Sequence, residues 1–150
     1  MFRRSSAARS LGTVAVVLTT ALPAAANPVA GIRVTNGSTA FDLAYAASAS
    51  SLGAYVTSDN APLATIPRSA TDAFTIASAS AKALAGEVIY RAAGEPTREC
   101  TFRYTLAYAG GRFVLTADAR ASWTGSVACT ASTTGPDKVK GDFSVTFTMK

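Results

Sequence analysis

Residues 99–108 alternate without a break. Cys100, Phe102, Tyr104, Leu106 and Tyr108 fall on one face, and Thr101, Arg103, Thr105 and Ala107 on the other. In an extended strand successive side chains point to opposite faces, so a period of two makes one apolar and one polar sheet face. A helix repeats every 3.6 residues and cannot gather that set into one stripe. The apolar face needs a second layer over it, which points to a sandwich or a barrel.

The rest of the chain supplies such a layer. Residues 32–35 alternate, and residues 39–45 put Phe41, Leu43 and Tyr45 in phase. Asn36-Gly37 between them matches a two-residue hairpin turn, whose central positions need positive φ. That turn also accounts for Asn36-Gly37-Ser38, which matches a glycosylation sequon. Further short strands are expected over residues 52–57, 62–66, 73–77 and 87–92, punctuated by Gly and Pro. Gly110-Gly111 turns the chain into Phe113, Leu115 and Ala117. Residues 121–130 put Trp123, Val127 and Cys129 in phase, with Trp123 expected to be a core residue beside a buried disulfide. Phe143, Val145, Phe147 and Met149 alternate with Ser144, Thr146 and Thr148. About nine short strands at regular spacing predict an all-β fold, an antiparallel β-sandwich of immunoglobulin-like or jelly-roll-like kind. Only the Ala-rich residues 78–84 are open to a helical turn.

The first 26 residues carry Arg3, Arg4 and Arg9, then an uncharged stretch over residues 11–22, then Pro23-Ala24-Ala25-Ala26. A basic head, a short apolar middle and an A-x-A end describe a secretory signal peptide, with cleavage expected near Ala26. The domain is then 27–150, and the protein is expected to be secreted or periplasmic; the two arginines do not decide between general and twin-arginine export. Residues 1–26 hold three of the 14 basic residues and none of the nine acidic ones, so without them the net charge falls from +5 to +2. That balance, with no dense basic run, makes no case for nucleic acid. Cys100 and Cys129 are the only cysteines. In an exported chain such a pair is expected to form one disulfide.

Chemistry is mostly excluded rather than indicated. There is no histidine, so there is no His-based metal site and no Ser/His or Cys/His pair. No nucleophile elbow, phosphate loop, dinucleotide fingerprint or calcium loop occurs. No metal or other cofactor is expected. The nine acidic residues are scattered, and no local pair forms a glycosidase couple. The remaining feature is a hydroxyl-rich outward face: Thr101, Thr105, Thr116, Ser122, Thr124, Ser126, Ser144, Thr146 and Thr148. Arg103 and Asp118 sit among them, and Arg103, Thr105, Thr116, Asp118 and Thr124 form the candidate ligand surface, because guanidinium and hydroxyl groups give directional hydrogen bonds.

The order of a first strand and turn, Gly86 to Tyr90 as Gly-x-Val-x-Tyr, and then a long aromatic strand is similar to small cytolysin sandwiches of the actinoporin and aegerolysin type. The resemblance covers about half of the chain after residue 26, rests on layout rather than on a specific motif, and assigns no family. It implies a β-sandwich and membrane activity, but no amphipathic segment follows Ala26 and the aromatics fall on inward phases. The first expectation is therefore a non-enzymatic secreted binding protein for an extracellular protein or glycan. A membrane-active cytolysin-like protein is ranked second, and a secreted hydrolase with an Asp/Glu site third.

Overall fold

The computed structural model describes residues 27–52, 55–56, 61–122 and 127–150. The expected signal segment, Trp123 and Thr124 lie outside the described residues. Among the described residues ten strands follow in chain order: β1 Val29–Asn36, β2 Leu43–Tyr45, β3 Tyr55–Val56, β4 Thr65–Ile66, β5 Thr71–Ala77, β6 Ala83–Ala92, β7 Glu95–Ala109, β8 Arg112–Ala121, β9 Cys129–Thr134 and β10 Phe143–Met149. They form two five-stranded sheets, β3-β5-β1-β10-β9 and β4-β2-β6-β7-β8. The fold is the expected all-β sandwich. Every pairing is antiparallel except β1 with β10, which runs parallel and in register from Ala30–Phe143 to Asn36–Met149. No described helix is long and apolar enough to cross a membrane.

The alternation explains the core. Ile32, Val34, Phe74, Ile76, Val145 and Phe147 face inward from the first sheet, and Leu84, Val88, Phe102, Tyr104 and Leu106 meet them from the second. Phe102 stacks on Phe147 across the layers with ring centroids 4.8 Å apart. Cys100 on β7 bonds to Cys129 on β9, with Cα atoms 5.8 Å apart, and so ties one sheet to the other. The bridge closes a loop of about 30 residues, and its reduction is expected to lower stability by about 3.5 kcal/mol through chain entropy. Urea unfolding with and without reductant measures this; coincident curves would contradict it.

Four expectations are corrected. Asn36-Gly37 is not a hairpin turn, because β1 and β2 belong to different sheets. Asn36 is instead fully buried, and its side-chain amide donates to the carbonyls of Phe41, Ile66 and Pro67. That amide is already engaged, so the sequon is closed in the folded chain. The two-residue turn with both φ positive is Gly110-Gly111, between β7 and β8. Residues 78–82 form a turn between the sheets, held by Ser78 Oγ donating to the Ala83 carbonyl, and not a helix. The strand expected over residues 121–130 is interrupted: β8 ends at Ala121 and β9 starts at Cys129. Finally, Tyr108 has the inward phase but is 43% exposed, because it lies at the end of β7 where the covering layer stops.

Candidate functional site

Four of the five candidate residues do meet. On the outer face of the second sheet, Arg103 lies opposite Asp118 and Thr105 opposite Thr116, across the β7–β8 ladder. Thr124 lies outside the described residues. The charges beside these residues are already matched. Arg103 Nε donates to Glu87 Oε2 at 2.5 Å, a bond that raises the guanidinium pKa above its ordinary value. Asp118 accepts from Arg120 Nε at 2.9 Å, and Arg91 is paired with Glu99 further along. Beside Glu87, Ser51 bridges from the loop after β2. Around Arg103 and Asp118 the face is a lattice of neighbouring ion pairs, and among its described residues only Arg112, at the hairpin end of β8, has no carboxylate partner.

The same holds for the carboxylates. Asp42, Glu87, Glu95, Glu99 and Asp118 each pair with an arginine. Asp72 accepts from the Leu63 backbone N–H at 2.8 Å and from the Tyr90 hydroxyl, Asp137 from two backbone N–H groups, and Asp142 from the Val29 N–H. Burial first, and Asp72 second, push the Tyr90 phenol upward, so it stays protonated. No described cluster of three or more acidic or cysteine side chains is arranged to hold a metal.

A different set of side chains converges at one end of the sandwich, where β7 turns into β8 and β9 into β10. Tyr108 and Phe113 lie opposite each other on the hairpin, their rings edge to face at 5.0 Å. The β9–β10 loop packs against them so closely that a Cβ on Gly141 would meet the Phe113 ring at 2.8 Å. The tip of that loop is Lys138-Val139-Lys140, and Val139 is 81% exposed. Asp137 holds the tip in place by accepting from the Val139 N–H at 2.9 Å and the Lys140 N–H at 2.7 Å. Those bonds, the Lys140 one foremost, lower the Asp137 pKa below the ordinary carboxylate value.

Cations surround these apolar groups. Lys82 Nζ sits 5.7 Å from the centre of the Tyr108 ring. Arg112 and Lys138 line a cleft of ≈ 310 Å³ between hairpin and loop, with Phe113 and Pro136 as its apolar wall. Val114, 40% exposed, lies on the same hairpin. Of the other exposed large apolar residues, Val29 starts β1 at this end, while Leu63 stands apart at the opposite one. Strand alternation does not single out this end, because its residues lie beyond the covered part of the sheets. The available signal was local: an apolar Val139 between two lysines, in a loop bounded by Gly135 and Gly141.

No family model matches the chain, and no curated protein matches it. Among solved structures the fold is similar to that of the crystal structure of lipid binding protein Nakanori, with a TM-score of 0.57 and 13% sequence identity over 83% of this chain and 71% of that one. At that identity the likeness establishes a shared β fold.

Proposed function

We propose that this chain is a non-catalytic binding protein that docks on anionic membrane surfaces through the β7–β8 and β9–β10 end of its sandwich. The observation that carries this reading is the coincidence there of exposed apolar side chains, Tyr108 and Val139, with Lys82, Arg112, Lys138 and Lys140. Apolar side chains at the headgroup boundary supply burial, and each nearby cation adds about 1 kcal/mol against an anionic leaflet. The two acids at this end, Asp137 and Asp142, are committed to backbone N–H groups. The lipid-binding neighbour of similar fold is consistent with this order of ligand classes, which places a membrane surface above the protein or glycan first expected. The non-catalytic part is supported by the partnered state of every described carboxylate; screening against polysaccharide, peptide and ester substrates tests it, and turnover lost with one Asp or Glu change would refute it.

The docking test is co-sedimentation with phosphatidylcholine vesicles, with and without phosphatidylserine. Binding is expected to need the anionic lipid and to weaken with salt, since exposed charges are screened over about 8 Å at physiological ionic strength. Val139→Asp removes burial of about 1.5–3 kcal/mol and should cut binding by about tenfold or more. Arg103→Ala and Thr116→Val should leave it unchanged. Binding should also be flat from about pH 5 to 8, because there is no histidine and the lowered Asp137 pKa keeps the loop bonds intact until the pH falls through that value. Vesicle binding that survives Val139→Asp, or a glycan or protein ligand lost on Arg103→Ala, would restore the original ranking.

A further inference from the structure

The outer face of the first sheet carries a second, independent feature. Arg33 projects from β1, a strand with neighbours on both sides, opposite Ala73 on β5 and Thr146 on β10. Two residues earlier, Gly31 lies opposite Thr75 and Ser144. A depression of ≈ 470 Å³ lies over it, with Arg33, Thr75, Ser144 and Thr146 among its lining residues. A Cβ at Gly31 would sit 3.2 Å from Ser144 Oγ, so any larger residue would fill the floor.

Arg33 also differs from its kind. Five of the seven arginines after residue 26 are paired with a carboxylate, Arg68, Arg91, Arg98, Arg103 and Arg120. Among the described residues, Arg33 and Arg112 have no such partner, and Arg112 belongs to the membrane-facing end. No acid stands on the described outer face of β5, β1, β10 or β9. A planar guanidinium offers a rigid fork of donors that matches an oxyanion in two places at once, and hydroxyls can donate to its remaining oxygens.

We propose that the Gly31 depression is a binding site for a phosphate group, held by the Arg33 guanidinium with Thr75, Ser144 and Thr146 as hydroxyl donors. The group arrives either as free or sugar-borne phosphate or as a lipid headgroup. The site lies on a different face from the docking end and does not depend on that reading.

The test is nuclear magnetic resonance titration of the isotope-labelled chain with inorganic phosphate, with chloride at matched ionic strength as control. Saturable shifts are expected at Gly31, Arg33, Thr75 and Ser144. Arg33→Gln should weaken them by about tenfold or more, as the loss of a charge-assisted bidentate contact requires. Gly31→Val should abolish them by filling the floor, while Arg112→Gln should leave them unchanged. Phosphatidic acid vesicles then separate the sources. If Arg33→Gln weakens vesicle binding while the docking end is intact, the phosphate is a headgroup; if vesicle binding is unaffected, it is free or sugar-borne. Shifts that fail to saturate, that match those of chloride, or that survive Arg33→Gln overturn the proposal.

Discussion

Gly86→Val is expected to leave the chain unfolded or barely folded. Gly86 faces inward on β6, directly opposite Tyr104 on β7. The tyrosine ring lies across it, and the Tyr104 hydroxyl donates to the Leu52 carbonyl at 2.8 Å. A Cβ at residue 86 would overlap the ring and come within 2.8 Å of the Leu52 oxygen. Overpacking alone costs about 1–3 kcal/mol. Displacing Tyr104 would also strand a buried hydroxyl and carbonyl, at about 1–3 kcal/mol more. Together these cost about 2–6 kcal/mol, which reaches the lower end of the stability of an ordinary domain, about 5–15 kcal/mol. Urea unfolding followed by tryptophan fluorescence and circular dichroism measures the loss. Pairing the change with Tyr104→Leu should recover part of it, because the overlap disappears. An unaltered unfolding midpoint for Gly86→Val would show that the ring does not occupy that space.

Asn36→Asp is the second large effect, and it should depend on pH. The Asn36 side chain is fully buried where β1 ends, with its amide nitrogen 2.9 Å from the Phe41 carbonyl and 3.2 Å from those of Ile66 and Pro67. Its oxygen accepts from the Ser38 N–H at 3.0 Å. Two connections that cross between the sheets, β1–β2 and β4–β5, are thus tied to one amide. An aspartate there turns a donor into an anion facing three carbonyls, at an expected cost of about 3–5 kcal/mol near neutral pH. Burial and the carbonyls favour the neutral acid, so the folded pKa of the new carboxyl rises above its unfolded value. The variant should therefore be least impaired below the ordinary carboxylate range and lose stability as the pH rises through it. Thermal unfolding of both proteins from about pH 3 to 8 tests this, and a constant difference would contradict the assignment of the amide nitrogen to the carbonyl side.

The inward rows were legible residue by residue, because strand period depends only on local geometry. Phe102, Tyr104, Leu106, Val145 and Phe147 are buried as their phase requires. Which strands pair was not legible. Asn36-Gly37 has the composition of a hairpin turn, but the flanking strands enter different sheets, and only the long-range pairing of β1 with β5 and β10 reveals that. The hydroxyl-rich strands were visible, yet they do not share one surface. Thr101, Thr105 and Thr116 belong to β7 and β8, whereas Ser144, Thr146 and Thr148 belong to β10 in the other sheet. Arg33 and Tyr108 were undervalued for related reasons. The importance of Arg33 rests on what two distant strands place beside it, and that of Tyr108 on where the opposite layer ends.

The parallel pairing of β1 with β10 sets an order of events for the growing chain. Residues 30–36 pair with residues 143–149, more than a hundred positions later, and β10 fills the gap between β1 and β9. Until residue 149 has left the ribosome, the first sheet remains two separate pieces, each with an unsatisfied hydrogen-bonding edge. Such edges recruit other chains. Pairing across so long a stretch is also intrinsically slow, because loop-closure entropy is lost before the contacts compensate for it. Truncated products ending before Phe143 should therefore aggregate rather than fold in part, and the nascent chain must be kept from self-association until synthesis has passed β10.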